Sequence, residues 1–270
     1  MRILIRTSKW AIWSRRLGSL AVPLAIIPVF MHRERMISSA DFGVVEIVAV
    51  SVAALALLLA LGAFVRLWIT GDQGWGKAVL GLFFSLVCLA PLGVVGWLSA
   101  RYPAVSDVST DYLNPPGIVS QLEVPFPDAL GQAAVVSAFP NARDRSYPIE
   151  AAQMYELVAA LADARGWEPR ARRAPQTPLA EGQINAIATT LVGWRDEVAI
   201  RIQGTAQGAI VSMRSAALHG FHDLGENGRR IEEFLLALDQ RVTEVLRNVV
   251  PSTAPVDDEP APATQTDEDE

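Results

Sequence analysis

Two arginines, Arg201 and Arg214, are the residues whose type and spacing best suit the recognition of an anion. Residues 198–203 alternate apolar and polar side chains, as a half-buried strand does, and the glycine-containing loop 205–208 predicts a hairpin to the next strand. In that antiparallel register Arg201 faces Ser212, and Arg214 is its diagonal neighbour on the same face, about 7–8 Å away at Cα. Two guanidinium groups so placed can bind a carboxylate or a phosphate through paired hydrogen bonds.

The same two arginines also fit a purely structural role. Three carboxylates are available to neutralise a guanidinium group without any ligand: Asp196, Glu197 and Asp223. Charged side chains that fold into a domain interior are usually paired in this way. The sequence leaves the ligand-binding and the structural interpretation open.

Other patterns that are typical of metal binding or catalysis are weaker. His219 and His222 are followed by Asp223, but this acid is better placed to order the last helix through backbone hydrogen bonds, so no metal site is predicted. Ser215 has a histidine and an acid nearby but lacks the Gly-x-Ser-x-Gly elbow of hydrolases. No phosphate-binding glycine loop or dinucleotide fingerprint is present, so no cofactor is expected. A single cysteine, Cys88, excludes an intramolecular disulfide.

The elements that must position these residues form an α+β domain, predicted at 148–250. A helix starts at Pro148 and stops at Gly166, and a long amphipathic helix at 228–248 has Asn227 as its predicted N-cap. Between the helices, four strands are predicted at 167–172, 184–192, 198–203 and 209–215. The α-β-β-β-β-α order predicts an antiparallel four-stranded sheet flanked by helices.

Three apolar runs in residues 1–100 predict an N-terminal α-helical transmembrane region. The runs 43–65 and 79–100 contain one acid between them, and each exceeds the roughly 20 residues that cross a bilayer core. The run 17–31 has only 15 residues and two prolines, which gives about 22 Å of helix. Arginines and tryptophans that flank this run can extend its reach at the interface. We therefore predict three spanning helices, with the lipid bilayer as a partner.

Basic residues predict the orientation of these helices. The segment 1–16 has five of them, and the loops after the first and second helices have two each. With three spans, seven basic residues lie on the N-terminal side against two on the other, which places the C-terminal domain outside. With only two spans the domain would be cytoplasmic, so the run 17–31 decides the topology. We predict a multi-pass protein of the bacterial inner membrane with a periplasmic C-terminal domain.

Composition agrees with a chain that is part membrane protein and part extramembrane domain. The 270 residues are 51% hydrophobic, and the mean hydropathy is +0.26. The net charge is −6, but the tail 251–270 has seven acids and no base, so the rest of the chain carries +1. Nucleic acid is therefore not an expected partner. The proline-rich segment 101–147 is predicted to wrap the domain or form a stalk, and the acidic tail is predicted to be disordered.

The stretch 183–233 resembles the bacterial and chloroplast family called "domain of unknown function 1499". The matching positions are an acidic pair, a strand arginine, an Arg-Ser pair, a Gly-x-x-Asp-Leu-Gly-x-Asn motif and a basic helix start: Asp196-Glu197, Arg201, Arg214-Ser215, Gly220, Asp223-Leu224-Gly225, Asn227 and Arg229-Arg230. Upstream, residues 107–111 with Pro115-Pro116 are similar to the N-terminal signature of the family. The resemblance covers about residues 105–245. Two departures from the pattern are Glu197, where the family usually has Asp, and 217–218, where it commonly has Ser and Arg.

The resemblance implies an envelope protein, often attached to the membrane, and brings no established activity. Together with the strand register, it gives seven candidate ligand-binding residues: Arg201, Arg214, Ser215, Asp196, Asp223, Asn227 and Arg230. The predicted function is a binding or structural module for an anionic small molecule, a lipid headgroup or an envelope protein. The alternative is a membrane-anchored envelope enzyme, either a hydrolase or a lipid-modifying protein, that uses Asp196, Asp223 or Ser215. The sequence assigns no catalytic residue and leaves this alternative open.

Overall fold

Two parts follow each other along the chain, a bundle of three long helices and an α+β domain. The computed structural model describes residues 6–220 and 222–249. The tail 251–270, predicted to be disordered, lies outside the described residues. The helices of the bundle are α1 (Lys9–Arg33), α2 (Ser39–Thr70) and α3 (Trp75–Arg101).

The first helix is longer than the apolar run 17–31 from which it was predicted. It has 25 residues, which at 1.5 Å per residue gives about 38 Å, more than the ~30 Å of a hydrocarbon core. Arg15 and Arg16 lie inside this helix, and Pro23 and Pro28 do not end it. All three helices are long and apolar enough to cross a membrane, so the prediction of three such helices is confirmed.

The bundle packs through small residues. Along α2, the buried positions include five alanines with no exposed area: Ala49, Ala53, Ala56, Ala60 and Ala63. A Cβ atom on Gly81 of α3 would come 1.9 Å from the hydroxyl oxygen of Ser14 in α1, and that hydroxyl donates to the Ala56 carbonyl at 3.1 Å. Large apolar side chains such as Leu58 and Phe83 lie on the outer surface instead. Close backbone contact inside and bulky side chains outside are typical of helices that pack within lipid.

The domain contains a six-stranded antiparallel sheet and three helices. Its strands are β1 (Asp107–Ser109), β2 (Arg145–Tyr147), β3 (Glu168–Arg173), β4 (Glu181–Thr189), β5 (Arg195–Thr205) and β6 (Gly208–Ala217). Its helices are α4 (Ala129–Ala138), α5 (Ala151–Ala164) and α6 (Glu226–Val249). The strand order is β1-β6-β5-β4-β3, and β2 pairs with the other end of β6.

The prediction of a four-stranded sheet was wrong, because two further strands come from the proline-rich segment 101–147. Strand β1 pairs with the end of β6, so that Val108 faces Ser215, and β2 pairs with its beginning, so that Ser146 faces Ile210. Each of these strands has three residues, which is too short to show an alternating pattern. The α+β class itself was predicted correctly.

The β5–β6 hairpin has the register expected from its loop. Arg201 faces Ser212, and Ala199 faces Arg214, so the two arginines are diagonal neighbours on one face of the sheet. The opposite face, with Ile200 as its centre, packs against α5 and α6 and forms the apolar core. The arginine face is covered by the chain that follows β1, as the hydrogen bonds described below show.

The domain packs against one end of the helix bundle. The β4–β5 loop lies beside the end of α1, where the Arg33 guanidinium donates to the Leu191 carbonyl at 3.1 Å and a ring nitrogen of His32 lies 2.8 Å from the Val192 carbonyl. Gly193 has a φ of +96°, and a Cβ there would come 2.8 Å from the Cα of Arg33. Only glycine fits both this backbone conformation and this contact.

Two further contacts join the domain to the same end of the bundle. Arg35, in the connection between α1 and α2, pairs with Glu168 of β3 at 2.8 Å. Tyr102, which follows α3, stacks on Phe139 with ring centroids 5.4 Å apart, and a Cβ on Gly225 would come 2.5 Å from the Tyr102 ring. The domain therefore lies at the end of the bundle that holds the α1–α2 connection and the end of α3, opposite the beginning of α1.

Candidate functional site

Arg214 is held by a carboxylate from β1. Its Nε and Nη2 donate to the two carboxylate oxygens of Asp107 at 3.0 and 2.6 Å, a bidentate pair. The side chains are 12% and 3% exposed, and the guanidinium lies 4.7 Å from the centre of the Phe126 ring. Burial raises the pKa of the Asp107 carboxyl, and the contacts with Arg214 only partly offset this effect. The pair is therefore an internal part of the fold, with both partners largely removed from water.

Arg201 is held in the same way by a carboxylate that follows β1. Its Nη2 donates to Asp111 at 2.8 Å and also to the Ser212 hydroxyl at 3.3 Å. The carboxylates that neutralise the two arginines are thus Asp107 and Asp111, and none of the three acids suggested by the sequence. The reason is that β1 is the neighbour of β6 in the sheet, which the sequence pattern did not reveal.

Glu197 is a third polar anchor on this face. It has no exposed area, and its carboxylate accepts hydrogen bonds from the backbone N–H of Val119 at 2.7 Å, the backbone N–H of Ser120 at 2.8 Å and the Asn185 amide at 2.8 Å. Burial alone would raise the pKa of this carboxyl, but the hydrogen bonds from Ser120, Val119 and Asn185 outweigh burial and lower the pKa. Together with the two arginines, Glu197 holds the chain between β1 and α4 against the sheet.

A second polar group lies on the helix side of the sheet. Arg230 pairs with Asp196 at 2.6 Å. Its Nη1 donates to the Ser215 hydroxyl at 2.9 Å and to the side-chain amide oxygen of Asn227 at 2.6 Å. The Ser215 hydroxyl itself donates to Asn227 at 2.7 Å. Burial raises the pKa of the Asp196 carboxyl, and Arg230 opposes this change. Ser215 has no exposed area, so this arrangement does not favour it as a nucleophile.

Asp223 orders the beginning of α6. Its carboxylate accepts hydrogen bonds from the backbone N–H groups of Gly225 at 2.9 Å and Asn227 at 2.8 Å, as a capping residue does. Burial raises the pKa of the Asp223 carboxyl despite these bonds. The predicted N-cap, Asn227, lies within the first turn of α6 instead, and its side chain donates to the Ser106 carbonyl at 3.0 Å.

The seven candidate residues therefore do not form one site. Arg201 and Arg214 lie on one face of the sheet, whereas the other five lie on the helix side or at the start of α6. The histidines are also separate, because His219 pairs with Glu123 at 2.7 Å and His222 accepts from the Leu224 N–H. Within residues 6–220 and 222–249, no group of three or more His, Cys, Asp or Glu side chains could hold a metal ion.

An open cleft of about 280 Å³ lies beside the second polar group and was not predicted. Its polar and aromatic lining comes from the end of α5, from β3 and β4, and from the first turns of α6; we call it the arginine cleft. It is lined by Arg165, Trp167, Ala188, Thr189, Glu226, Arg229, Arg230 and Glu233. Of these, only Arg230 was among the candidate residues.

Arg165 and Trp167 are brought together by the turn at Gly166. This glycine has a φ of +69° and ends α5, as the sequence predicted. The Arg165 guanidinium donates to the Glu233 carbonyl at 2.9 Å and lies 5.8 Å from the centre of the Trp167 ring. Burial lowers the pKa of Arg165, Glu233 opposes the change, and the positive charge of Arg230 adds to it. Arg165 thus has one negative neighbour, Glu233, and one positive neighbour, Arg230, and all three residues line the cleft.

Arg229 completes the basic lining of the cleft. It donates from Nη2 to Glu226 at 2.8 Å and from Nε to the Gly225 carbonyl at 3.2 Å. Both side chains of the ion pair are more than 40% exposed. The only sequence signal for this part of the cleft was the Arg229-Arg230 pair at the start of the last helix. Arg165 and Trp167 gave no such signal, because they join the cleft only through the tertiary fold.

Comparison with known proteins gives a match to one family. The family model described as "Protein of unknown function (DUF1499)" matches residues 107–238. This range begins at β1 and ends within α6, so it contains Asp107, Glu197, Arg214 and the whole lining of the arginine cleft. No curated protein and no solved structure matches the chain.

Proposed function

Residues 107–238 belong to the DUF1499 family, and we propose that this domain, anchored by three membrane helices, binds a small anionic group in the arginine cleft. The observation that carries the proposal is that the guanidinium groups of Arg165 and Arg229 line one open cavity beside Trp167. Arg230 also lines this cavity, but its charge is already balanced by the buried Asp196. A guanidinium group has five N–H donors. Arg165 uses one of them for the Glu233 carbonyl, which leaves donors for a carboxylate or a phosphate.

The other arginine pair does not carry this proposal. Arg201 and Arg214 already have carboxylate partners, and both are largely buried. An anion that displaced Asp107 or Asp111 would leave a carboxylate inside the protein without its partner, which is costly. In the arginine cleft the competing acids are Glu226, whose side chain is 43% exposed, and Glu233, which is also exposed. Both can turn to water when an anion binds.

The three long apolar helices α1, α2 and α3, which precede the domain in the chain, support the proposal of a membrane anchor. An odd number of spans puts the beginning of α1 and the domain on opposite sides of a membrane. Seven basic residues, five in segment 1–16 with Arg66 near the end of α2 and Lys77 near the start of α3, would then lie on one side. Three, Arg33, Arg35 and Arg101, would lie on the other. By the excess of positive charge on the cytoplasmic side, the domain lies outside the cytoplasm, in the periplasm of a bacterial inner membrane.

Inorganic phosphate should stabilise the full-length protein in mild detergent, and the arginine cleft should be responsible. We expect phosphate to raise the thermal unfolding midpoint above that in chloride at equal ionic strength, because a ligand that binds only the folded state stabilises it. The variant with Arg165→Gln and Arg229→Gln should lose this difference.

The matched control is Arg241→Gln. Arg241 lies on the same helix as Arg229 and pairs with a glutamate three residues away, as Arg229 does, but it does not line the cleft. This variant should respond to phosphate as the unchanged protein does. An equal response in all three proteins would be a general salt effect and would contradict the proposed function.

A further inference from the structure

The geometry points to a more specific ligand, the phosphate group of an anionic phospholipid from the membrane in which the helices lie. This inference rests on the proposed function, because it requires both the membrane anchor and an anion in the arginine cleft. It adds the source of the anion, which is a lipid headgroup rather than a soluble phosphate ester. Three observations support it: the position of the cleft, the loop beside it and the chemistry of its lining.

The arginine cleft lies on the edge of the domain that faces the helix bundle. Trp167 precedes Glu168, which pairs with Arg35 in the α1–α2 connection at 2.8 Å. Thr189 is two residues from Leu191, whose carbonyl accepts a hydrogen bond from Arg33 at the end of α1. Two lining residues, one just before β3 and one at the end of β4, therefore lie close to the same end of the bundle.

The side of the cleft that is formed by the start of α6 lies next to the end of α3. The Arg229 guanidinium lies 5.8 Å from the centre of the ring of Tyr102, the residue that follows α3. The start of α6 also rests on this ring, since a Cβ on Gly225 would come 2.5 Å from it. The end of α1 and the end of α3 thus lie near the cleft, and helices that cross a bilayer bring such ends to the level of the lipid headgroups.

The β4–β5 loop, next to the cleft, has side chains that are suited to the level of the lipid headgroups. Leu191, at the tip of the β4–β5 loop, is 85% exposed, and Trp194 in this loop is 36% exposed. A leucine that projects from the domain beside the end of a membrane helix can reach the apolar part of the interface, and tryptophan is enriched there. Contact with lipid would remove this apolar surface from water.

The lining chemistry matches a phosphodiester. Arginine binds phosphate oxygens through paired N–H groups, and Arg165 and Arg229 come from different helices, so they approach one group from two directions. Arg33 and Arg35 add positive charge on the same side of the bundle.

The test uses the full-length protein in detergent and measures lipid binding by native mass spectrometry. The probes are phosphatidylglycerol, phosphatidylcholine and the soluble ester glycerol phosphate. We expect phosphatidylglycerol to bind at least tenfold more tightly than phosphatidylcholine. Arg229→Gln and Arg165→Gln should each weaken phosphatidylglycerol binding by about tenfold, since each removes a charge-assisted contact, whereas Arg241→Gln should have no effect.

The outcomes separate this inference from the proposed function. Equal binding of the two lipids would overturn the inference. Glycerol phosphate that binds as tightly as phosphatidylglycerol would also overturn it, but the proposed function would stand, because a soluble anion would then occupy the cleft. If Arg165→Gln and Arg229→Gln change neither the binding of phosphatidylglycerol nor the thermal stabilisation by inorganic phosphate, the proposed function is wrong as well.

Discussion

Replacing Asp107 by asparagine should lower the free energy of unfolding of the domain by about 3–5 kcal/mol, because it leaves the Arg214 charge buried without its partner. The carboxylate is 3% exposed and holds Arg214 through two hydrogen bonds. An asparagine keeps the shape of the side chain but can accept only one of these bonds and carries no charge. The measurement is urea unfolding of the full-length protein in mild detergent, followed by near-ultraviolet circular dichroism.

The matched control for Asp107→Asn is Asp163→Asn. Asp163 also pairs with an arginine, Arg172, but its side chain is 53% exposed, and such surface pairs contribute only about 0–1 kcal/mol. The double variant Asp107→Leu with Arg214→Met should cost clearly less than the sum of the single changes, because no charge is then left unpaired. Similar losses for Asp107→Asn and Asp163→Asn would contradict the buried ion pair.

Replacing Glu197 by glutamine should lower the free energy of unfolding by about 3 kcal/mol at pH 7. The Glu197 carboxylate accepts three hydrogen bonds, whereas an amide group can accept at only one of its two ends. The other end would place N–H donors against the backbone N–H groups of Val119 or Ser120. The chain after β1 would then lose its attachment to the sheet. Unfolding in urea at pH 7 measures the loss.

The cost of Glu197→Gln should also depend on pH. In the folded protein the pKa of Glu197 lies below its ordinary value of 4.5, so the folded state binds a proton less readily than the unfolded state. Its stabilisation is therefore fully present above pH 4.5 and is lost as the pH falls through the folded pKa. The difference between the unchanged protein and the variant should shrink over that range. A difference that stays constant below pH 4.5 would show that the carboxylate charge is not the stabilising feature.

Local parts of the domain could be predicted well from the sequence. The loop expected at 205–208 is only 206–207 in the structure, because Thr205 pairs with Gly208. Both loops are centred on the same point and give the same register, so the pairing of Arg201 with Ser212 was predicted correctly. The last helix could be placed from its apolar spacing, and Gly166 correctly marked the end of α5. In each case the deciding information lies within a few residues of the element concerned.

Features that join distant parts of the chain could not be predicted. Asp107 and Arg214 are 107 residues apart, and they meet only because a three-residue strand pairs with β6. Nothing in a run of three residues distinguishes such a strand from a loop. Because β1 was missed, the sequence suggested the wrong acids as partners for the arginines.

The arginine cleft was missed for a similar reason. Arg165 follows α5 directly, Trp167 precedes β3, and Arg229 lies in a helix more than 60 residues later. The strand register and the family resemblance indicated residues that the fold uses internally. Charged residues at the ends of elements, which remain partly exposed, were the better indicators of an open site.

The length of the first helix was underestimated because it was predicted from an apolar run, and such a run ends at the first charged residue. Arg15 and Arg16 end the apolar run, yet α1 continues through them to Lys9. Backbone hydrogen bonding does not depend on side-chain charge, and long basic side chains can extend towards water from within a membrane helix. The first helix is therefore long and apolar enough to cross a membrane, as α2 and α3 are.

The central claim is that three helices cross the membrane and hold the domain on the side opposite the N terminus. Reporter fusions in a bacterial host test it directly, with one fusion site after Asn248 in α6 and a control site after Asp72 in the α2–α3 connection. Alkaline phosphatase should be active after Asn248 and inactive after Asp72, and a fluorescent protein should show the reverse pattern. Fluorescence with inactive phosphatase after Asn248 would place the domain in the cytoplasm and contradict the claim.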